Sequence, residues 1–237
     1  MPLGVPKIPL YLPEEEDATW IDLYNGLYKL KILFLCQEVN SEISSHISHL
    51  FIYLNAEDYT EDFYLFINSP GGWILPGMTI YNTMDAVDAD VRTICAGIAA
   101  SMASFILVAG DSFKRLAFPH ARVMIHQPRG NFSPDDDDDD DDNDDNDDDD
   151  NDDDDDDDGD GDGDGDGDGD GANNNHTQLF VEMEELLFIQ ENIVKIYAEK
   201  TGQPLEIILA DLDRDSFMSA TEAQAHGIVD SVGRWEP

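Results

Sequence analysis

Apolar residues in this chain fall into short runs separated by segments of helical periodicity. Five runs have the length and composition of strands: 31–35, 63–67, 91–95, 122–125 and 228–230. Most of these runs are almost continuously apolar, which is typical of strands whose two faces are both covered by helices. The pattern predicts an α/β fold with a mostly parallel sheet and flanking helices.

Helices are predicted between and after these strands. Ser41 is positioned to cap the first, and Gly202 stands at the C′ position of a long amphipathic helix over residues 177–201. Ser219 and Glu222 form a capping-box pattern that opens a short helix ending at Gly227. The apolar positions expected to face inward are Ile43, Ile47, Leu50, Phe51 and Leu54 in the first helix, Met78, Ile80, Tyr81 and Met84 in the second, and Phe180, Met183, Leu187, Ile193 and Tyr197 in the long one.

Charge is distributed very unevenly along the chain. The formal net charge is −42, but residues 135–171 consist of 27 Asp, 7 Gly and 3 Asn and nothing else. The remaining 200 residues carry a net charge of −15 and about half of them are apolar, an ordinary value for a globular domain. We therefore expect a single domain over 1–237, with an extended, proline-rich arm at 1–19 and a disordered acidic insert at 135–175.

This composition argues against several classes of protein. There is no excess of basic residues with which to bind nucleic acid, and no run of about 18 apolar residues that could cross a membrane. The first residues lack the pattern of a signal peptide or a transit peptide. Cys36 and Cys95 lie in apolar runs, which suggests free thiols in a reducing compartment.

Polar or glycine-rich residues follow three of the predicted strands directly, at 68–72, 96–101 and 126–130. In parallel α/β sheets, catalytic groups collect at the carboxyl ends of the strands. Ser101 can be a helix cap, or a nucleophile beside the free N–H groups of a helix start. His126 can be an ordinary residue at the rim of the sheet, or a general base.

Two further features bear on this candidate site. Gly71 and Gly72 form a turn, and two glycines also allow backbone N–H groups to approach an oxyanion closely. A carboxylate partner for His126 cannot be chosen from the residues alone, because Asp211, Asp213 and Asp215 lie together in one charged segment.

Six segments of the chain have the sequence of motifs in a known family. They are Met1–Lys7, Phe66–Gly72, Ala99–Met102, Arg122–Pro128, Arg214–Asp215 and Phe217–Ala223. By these segments the chain resembles the proteolytic subunits of Clp proteases (the ClpP family, peptidase family S14), and the form encoded in chloroplast genomes in particular. The resemblance covers nearly all residues outside the acidic tract, on both sides of it. Ala103 is a departure, since the family usually has glycine there.

The resemblance implies a ClpP/crotonase-like fold with a protruding handle helix at 177–201, and a serine endopeptidase that cleaves unfolded proteins. By motif, Ser101 would be the nucleophile, His126 the general base and Asp215 the orienting carboxylate. The backbone N–H groups of Gly72 and Met102 would form the oxyanion hole. No metal or organic cofactor would take part in the cleavage itself.

The resemblance also implies partners and a location. Homologous subunits would form heptameric rings stacked as a double-ring tetradecamer, and a Clp/Hsp100 ATPase would use ATP to deliver unfolded substrates. The location would be the chloroplast stroma, with the chain encoded in the plastid and carrying no transit peptide. No nucleic acid or membrane partner is expected.

Three alternatives remain open from the residues. The chain could be a catalytically weak or inactive structural subunit of a mixed Clp ring, or a crotonase-like acyl-CoA enzyme that shares the fold. The acidic tract could also bind Ca²⁺, although it lacks the spaced ligands and the bidentate Glu of an EF-hand loop.

Overall fold

Strands and helices alternate along the chain in the computed structural model, which describes residues 4–10, 18–127 and 187–235. The predictions for the acidic insert, for residues 177–186 of the handle helix and for much of the N-terminal arm concern residues outside these ranges. The strands are β1 (Lys7–Leu10), β2 (Thr19–Asp22), β3 (Ile32–Leu35), β4 (Phe63–Ser69), β5 (Val91–Ala100), β6 (Arg115–Ala117), β7 (Arg122–Ile125), β8 (Ser216–Ser219) and β9 (Ser231–Val232). The helices are α1 (Leu23–Lys29), α2 (Ser41–Glu57), α3 (Ile74–Ala86), α4 (Met102–Ala109), α5 (described over 187–201), α6 (Leu205–Leu212) and α7 (Ala220–His226).

A mostly parallel sheet forms the centre of the fold, as predicted. Strands β3, β4, β5, β6 and β9 follow one another in this order, and each neighbouring pair is parallel. Strand β7 joins the sheet parallel to β5, and β8 pairs with β7 in the antiparallel direction. The apolar runs of the sequence are accordingly buried, with Leu33, Leu65 and Ile67 fully inaccessible to solvent.

Strand β5 changes its neighbour halfway along its length. Its first half pairs with β6 up to Cys95 and Ala117, and its last residues, 98–100, pair with β7. A bulge separates the two halves, and there the Asn68 side chain accepts a hydrogen bond from the Ile98 N–H (3.1 Å). This bulge carries the end of β5 past β6 and sets it beside β7.

The helices cover the sheet with apolar faces. All eight residues of α4 are buried, so this helix lies in the interior. Helix α2 buries Ile47, Phe51 and Leu54 as its periodicity predicts, and the Phe51 ring packs edge-on against Phe63 of β4 (4.8 Å between centroids). These contacts join α2, α4 and the sheet in one hydrophobic core.

Within its described residues, helix α5 packs on this core from Ile189 onward. Ile193 and Tyr197 are buried, as predicted, and Gly202 follows the helix with φ +72°. The prediction that Leu187 faces inward is wrong, because its side chain is 56% exposed.

Some predicted boundaries differ from the structure. The cap of α2 is Asn40 rather than Ser41, because the Asn40 side chain accepts the Ile43 N–H at 3.0 Å. The run 228–230 is not a strand; its apolar residues are buried in a turn and β9 begins at Ser231. The capping box of Ser219 and Glu222 is present as predicted.

Residues near the N-terminus form a small separate sheet, in which β1 and β2 pair in the antiparallel direction. Its side chains are mostly exposed or half-buried. Among the described residues, no helix combines the length and apolar character needed to cross a membrane.

Candidate active site

Ser101 is the single residue between β5 and α4, and its backbone adopts a conformation that L-residues rarely occupy. Its φ and ψ are +54° and −126°, which lets the chain turn from strand to helix within one residue. Such a conformation costs about 1–3 kcal/mol and persists where the surrounding structure enforces it. The side chain makes no capping hydrogen bond to α4, so the interpretation of Ser101 as a helix cap is wrong for its hydroxyl.

The Ser101 hydroxyl faces His126 instead. Because β7 pairs with the end of β5, Met124 lies beside Ala100, and the Ser101 N–H donates to the Met124 carbonyl (2.9 Å). His126 comes two residues later, just beyond the end of β7. Its Nε2 lies 2.8 Å from Ser101 Oγ, and its side chain is 16% exposed. The two residues are therefore in direct hydrogen-bond contact.

Asp215 lies on the other side of the imidazole. It directly precedes β8, whose first residue, Ser216, pairs with Ile125 at the end of β7. An Oδ1 atom of Asp215 is 3.4 Å from Nδ1 of His126. A hydroxyl at one ring nitrogen and a carboxylate at the other favour the tautomer with its proton on Nδ1, which leaves Nε2 to accept the Ser101 proton.

The loop that holds Asp215 is anchored by its own hydrogen bonds. The Gln127 N–H donates to the Leu212 carbonyl (2.7 Å), and Ser216 Oγ donates to the Asp211 carbonyl (2.9 Å). The Asp211 carboxylate in turn lies 2.9 Å from Nε2 of His226. Of the three aspartates in this segment, the structure brings Asp215 to His126 and pairs Asp211 with His226, which no sequence pattern indicates as a site residue.

The Gly71–Gly72 turn lies against the serine. A Cβ atom on Gly71, which has φ +95°, would come within 2.7 Å of Ser101 Cβ and 3.0 Å of the Met102 nitrogen. Glycine is therefore required for the turn to approach so closely. The N–H of Met102 is the first of α4, and helix geometry gives it no carbonyl partner within the helix.

Val39 fixes the orientation of Gly72. The Val39 N–H donates to the Gly71 carbonyl, and the Trp73 N–H donates to the Val39 carbonyl, both at 2.8 Å. In this parallel bridge, the N–H of Gly72 itself points to the side opposite Val39. A Cβ at Gly72 (φ +152°) would lie 2.3 Å from the Val39 carbonyl oxygen, so this position also requires glycine. The turn thus directs the Gly72 N–H away from Val39, and the adjoining Gly71 lies beside the start of α4.

Metal ligands do not gather at this site or elsewhere in the described part of the chain. Over residues 4–10, 18–127 and 187–235, no group of three or more His, Cys, Asp and Glu side chains has a metal-binding arrangement. The site is thus built from a hydroxyl, an imidazole, a carboxylate and the backbone of a glycine turn.

This geometry defines the class of protein. A serine at a strained strand-to-helix turn, hydrogen-bonded to a histidine that contacts an aspartate, is the arrangement of a serine hydrolase. It occurs here in the chain order Ser, His, Asp, on an α/β fold without the Gly-x-Ser-x-Gly motif.

Comparison with known proteins defines the family. The family model described as Clp protease matches residues 14–142 and 169–236, so the unmatched residues between them all lie in the acidic tract. The chain is 49% identical over 232 residues to the ATP-dependent Clp protease proteolytic subunits of Spinacia oleracea and Lactuca sativa, covering 98% of each chain. It is 50% identical to that of Phalaenopsis aphrodite subsp. formosana, covering 95% of that protein.

The chain therefore belongs to the Clp protease family. It is a serine peptidase by class, and its α/β fold with a mostly parallel sheet is that expected from the resemblance. The acyl-CoA enzyme alternative is not supported, since the matching family model and the relatives named above are those of Clp proteases.

Proposed function

We propose that this chain is a catalytically active proteolytic subunit of a plastid ATP-dependent Clp protease, which cleaves unfolded proteins delivered by a partner ATPase. One observation carries the proposal. Ser101, His126 and Asp215 come together from three separate segments, at 2.8 Å and 3.4 Å, in a chain of this family. A structural subunit without activity would have no need for this alignment.

In the proposed acylation step, Ser101 Oγ attacks the carbonyl carbon of a peptide bond. His126 Nε2 takes the hydroxyl proton as the new C–O bond forms, and Asp215 stabilises the resulting imidazolium. The tetrahedral intermediate then collapses: the C–N bond breaks, and His126 returns the proton to the leaving amine. The products are a free amino terminus and an ester on Ser101.

The oxyanion of that intermediate is assigned to two backbone donors, the N–H groups of Gly72 and Met102. The support is that Met102 starts a helix, and that the bridge to Val39 turns the Gly72 N–H away from its ladder. Loss of one such donor typically lowers kcat by a factor of about 10²–10³.

Deacylation uses the same groups. A water molecule gives a proton to His126 Nε2 and attacks the ester carbon, after which the C–O bond to Ser101 breaks and Oγ regains a proton. The cleaved chain leaves with a new carboxylate. We propose that these residues cleave the bond without a cofactor, while ATP is used by the partner ATPase to unfold and deliver substrates.

The chain works within a Clp ring assembly with an ATPase partner, and we propose the finer arrangement of two stacked heptameric rings. Several large apolar side chains are more than half exposed in the single chain. They support the proposal that neighbouring subunits cover part of this surface, because large apolar patches are rarely left in contact with water. They are Trp20, Tyr24, Leu30, Ile52, Tyr53, Tyr59, Trp73, Leu75, Phe113, Leu187, Phe188 and Phe217. Native mass spectrometry of the purified protein would give the subunit count directly.

We further propose the chloroplast stroma as the location. The support is that the relatives of similar length come from plants, and that the motifs resemble those of the plastid form. Immunodetection of the endogenous chain in fractionated cells would test this, and its absence from the plastid stroma fraction would contradict it.

The proposed activity is tested with a fluorophosphonate probe and a fluorogenic peptide on the assembled protein. Ser101→Ala is expected to abolish both labelling and cleavage, because the nucleophile is removed. Ser45→Ala, which removes an exposed hydroxyl from α2, serves as the control and should retain both. Labelling that persists in Ser101→Ala would reject the assignment of the nucleophile.

A further inference from the structure

A buried line of hydroxyl groups connects helix α5 to the backbone of Ser101. Tyr197 on α5 and Ser104 on α4 have their hydroxyl oxygens 2.8 Å apart. Ser104 Oγ is also 2.6 Å from the Ser101 carbonyl oxygen, to which it donates. Since Ser104 gives its proton to the carbonyl, it accepts the proton of Tyr197, and the hydrogen bonds run in one direction from Tyr197 to Ser101.

Both hydroxyl groups lie in the hydrophobic core. Ser104 is fully buried and Tyr197 is 2% exposed, while the Tyr197 ring packs edge-on against Phe105 (5.8 Å between centroids). Burial raises the pKa of Tyr197, so its hydroxyl remains a proton donor throughout the physiological range. Polar groups in such surroundings are kept where they complete a specific set of hydrogen bonds.

The last hydrogen bond of this series is made to the carbonyl of Ser101, the residue with the strained backbone conformation. The Ser101 carbonyl also receives the N–H groups of Ser104 (3.0 Å) and Phe105 (3.3 Å), but the hydroxyl bond is the shortest of the three. The direction of that carbonyl is set by ψ of Ser101, at −126°. Rotation about ψ would change the direction of the Cα–Cβ bond relative to this carbonyl, so a fixed carbonyl fixes the direction from which the Ser101 side chain approaches His126.

We propose that Ser104 and Tyr197 are positioning residues, which hold Ser101 in its positive-φ conformation and keep its hydroxyl aligned with His126. The inference rests on the proposed role of Ser101 as nucleophile. It assigns part of the reactivity of the site to a tyrosine on a helix that supplies none of the three residues Ser101, His126 and Asp215.

A double substitution separates this role from a contribution to stability alone. Ser104→Ala leaves the Tyr197 hydroxyl buried without this hydrogen-bond partner. The free energy of unfolding should fall, because the hydroxyl loses its contact with water on folding and gains no bond in return. Ser104→Ala combined with Tyr197→Phe removes both hydroxyls and leaves an apolar pair, which is often close to neutral for stability. The double variant should therefore recover most of the lost thermal stability.

Activity is expected to follow a different course. In the double variant the second-order rate of fluorophosphonate labelling and the kcat for a peptide should both stay about tenfold below those of the unmodified protein. KM should not change, and the pH profile of kcat/KM should keep its position, because His126 and Asp215 are not altered. Tyr197→Phe alone keeps the bond from Ser104 to Ser101 and should lower the labelling rate about threefold.

Thr93→Val is the matched control. Thr93 is a buried residue whose hydroxyl donates to the Leu107 carbonyl (2.7 Å), near the opposite end of α4. Its removal also deletes a buried hydroxyl–carbonyl bond of this helix, but it should change stability without changing kcat.

A double variant that labels at the rate of the unmodified protein would overturn the inference, as would a Tyr197→Phe variant with an unchanged rate if the double variant does not fold. This failure differs from failure of the proposed function, in which Ser101→Ala would still be labelled.

Discussion

His126 and Asp215 occupy the next register position of the antiparallel ladder between β7 and β8. The last paired residues of that ladder are Ile125 and Ser216, so His126 and Asp215 stand opposite each other one residue further on. The backbone bond from Gln127 to Leu212 (2.7 Å) continues the contact past them. The sheet register therefore determines which of the neighbouring aspartates meets the histidine.

We predict that Asp215→Asn lowers kcat by a factor of about 10³–10⁴, because an amide neither holds the required tautomer nor stabilises the imidazolium. Peptide cleavage at saturating substrate measures the effect. Asp213→Asn, which neutralises an exposed carboxylate two residues earlier, is the control and should be almost fully active. An Asp215→Asn enzyme that retains a tenth of the activity would contradict the role given to this residue.

Gly72→Ala should lower activity by a factor of at least about 10², because its Cβ would collide with the Val39 carbonyl and displace the N–H group that we propose as an oxyanion donor. The loss should appear in kcat for a peptide substrate. Gly233→Ala adds a methyl group where no atom lies within 4 Å, and its activity should be unchanged. Equal activities of the two variants would show that the Gly72 turn is not needed for catalysis.

Asp230→Asn should destabilise the fold by about 3 kcal/mol, the usual effect of removing one partner of a buried ion pair. Asp230 holds Arg115 through both carboxylate oxygens (2.6 and 3.0 Å), and the Arg115 side chain is only 8% exposed. Urea denaturation followed by circular dichroism measures the change. The exposed pair of Lys195 and Glu191 is the comparison: Glu191→Gln should leave the midpoint where it is.

Stability should fall as the pH rises from about 9 to 12, in part because of Cys95. Burial raises the pKa of this thiol to about 12 from an ordinary value near 9. Below pH 9 the thiol is protonated in both states, whereas above it the unfolded chain loses a proton that the folded chain retains, which favours unfolding. Cys95→Ala should therefore show a shallower alkaline decline of its thermal midpoint, and an identical decline would count against the buried thiol as a cause.

Assembly of the intact chain should depend on salt, because each subunit carries 27 like charges in residues 135–171. Deletion of these residues is expected to raise the share of double rings at low ionic strength, and added salt should reduce the difference by screening. Sedimentation velocity at two salt concentrations measures it. If both forms assembled equally at low salt, repulsion by the tract would be excluded.

Much of the fold could be predicted because the sheet is buried on both faces. Such strands appear as continuous apolar runs, and β3, β4, β5 and β7 all lie where those runs are. The run at 228–230 shows the limit of this rule, because buried apolar residues of a turn have the same composition as a short strand. Leu187 is a second example, since helical periodicity does not show where the core ends.

Less of the candidate site than of the fold could be predicted, because the sequence does not show how separate strands pair. Ser101 and His126 follow strands that pair with each other, and that position could be inferred from the order of apolar runs. The choice of Asp215 came from a resemblance, because the residues alone do not give the register of β7 and β8. The hydrogen bond between Ser104 and Tyr197 could not be predicted from the sequence, since the two residues are 93 positions apart and each has the pattern of an ordinary helix residue.

The long segment between Gln127 and α5 divides the site between two parts of the chain. Ser101 and His126 precede it and Asp215 follows it, so their alignment depends on non-covalent contacts between the two parts, among them the pairing of β7 with β8 and of β6 with β9. The three site residues thus come from two stretches of chain, as they would in an enzyme divided into two fragments. If the chain were cut within the acidic tract, neither fragment would carry a complete triad, and recovery of peptidase activity on mixing would report fragment complementation through β7 and β8.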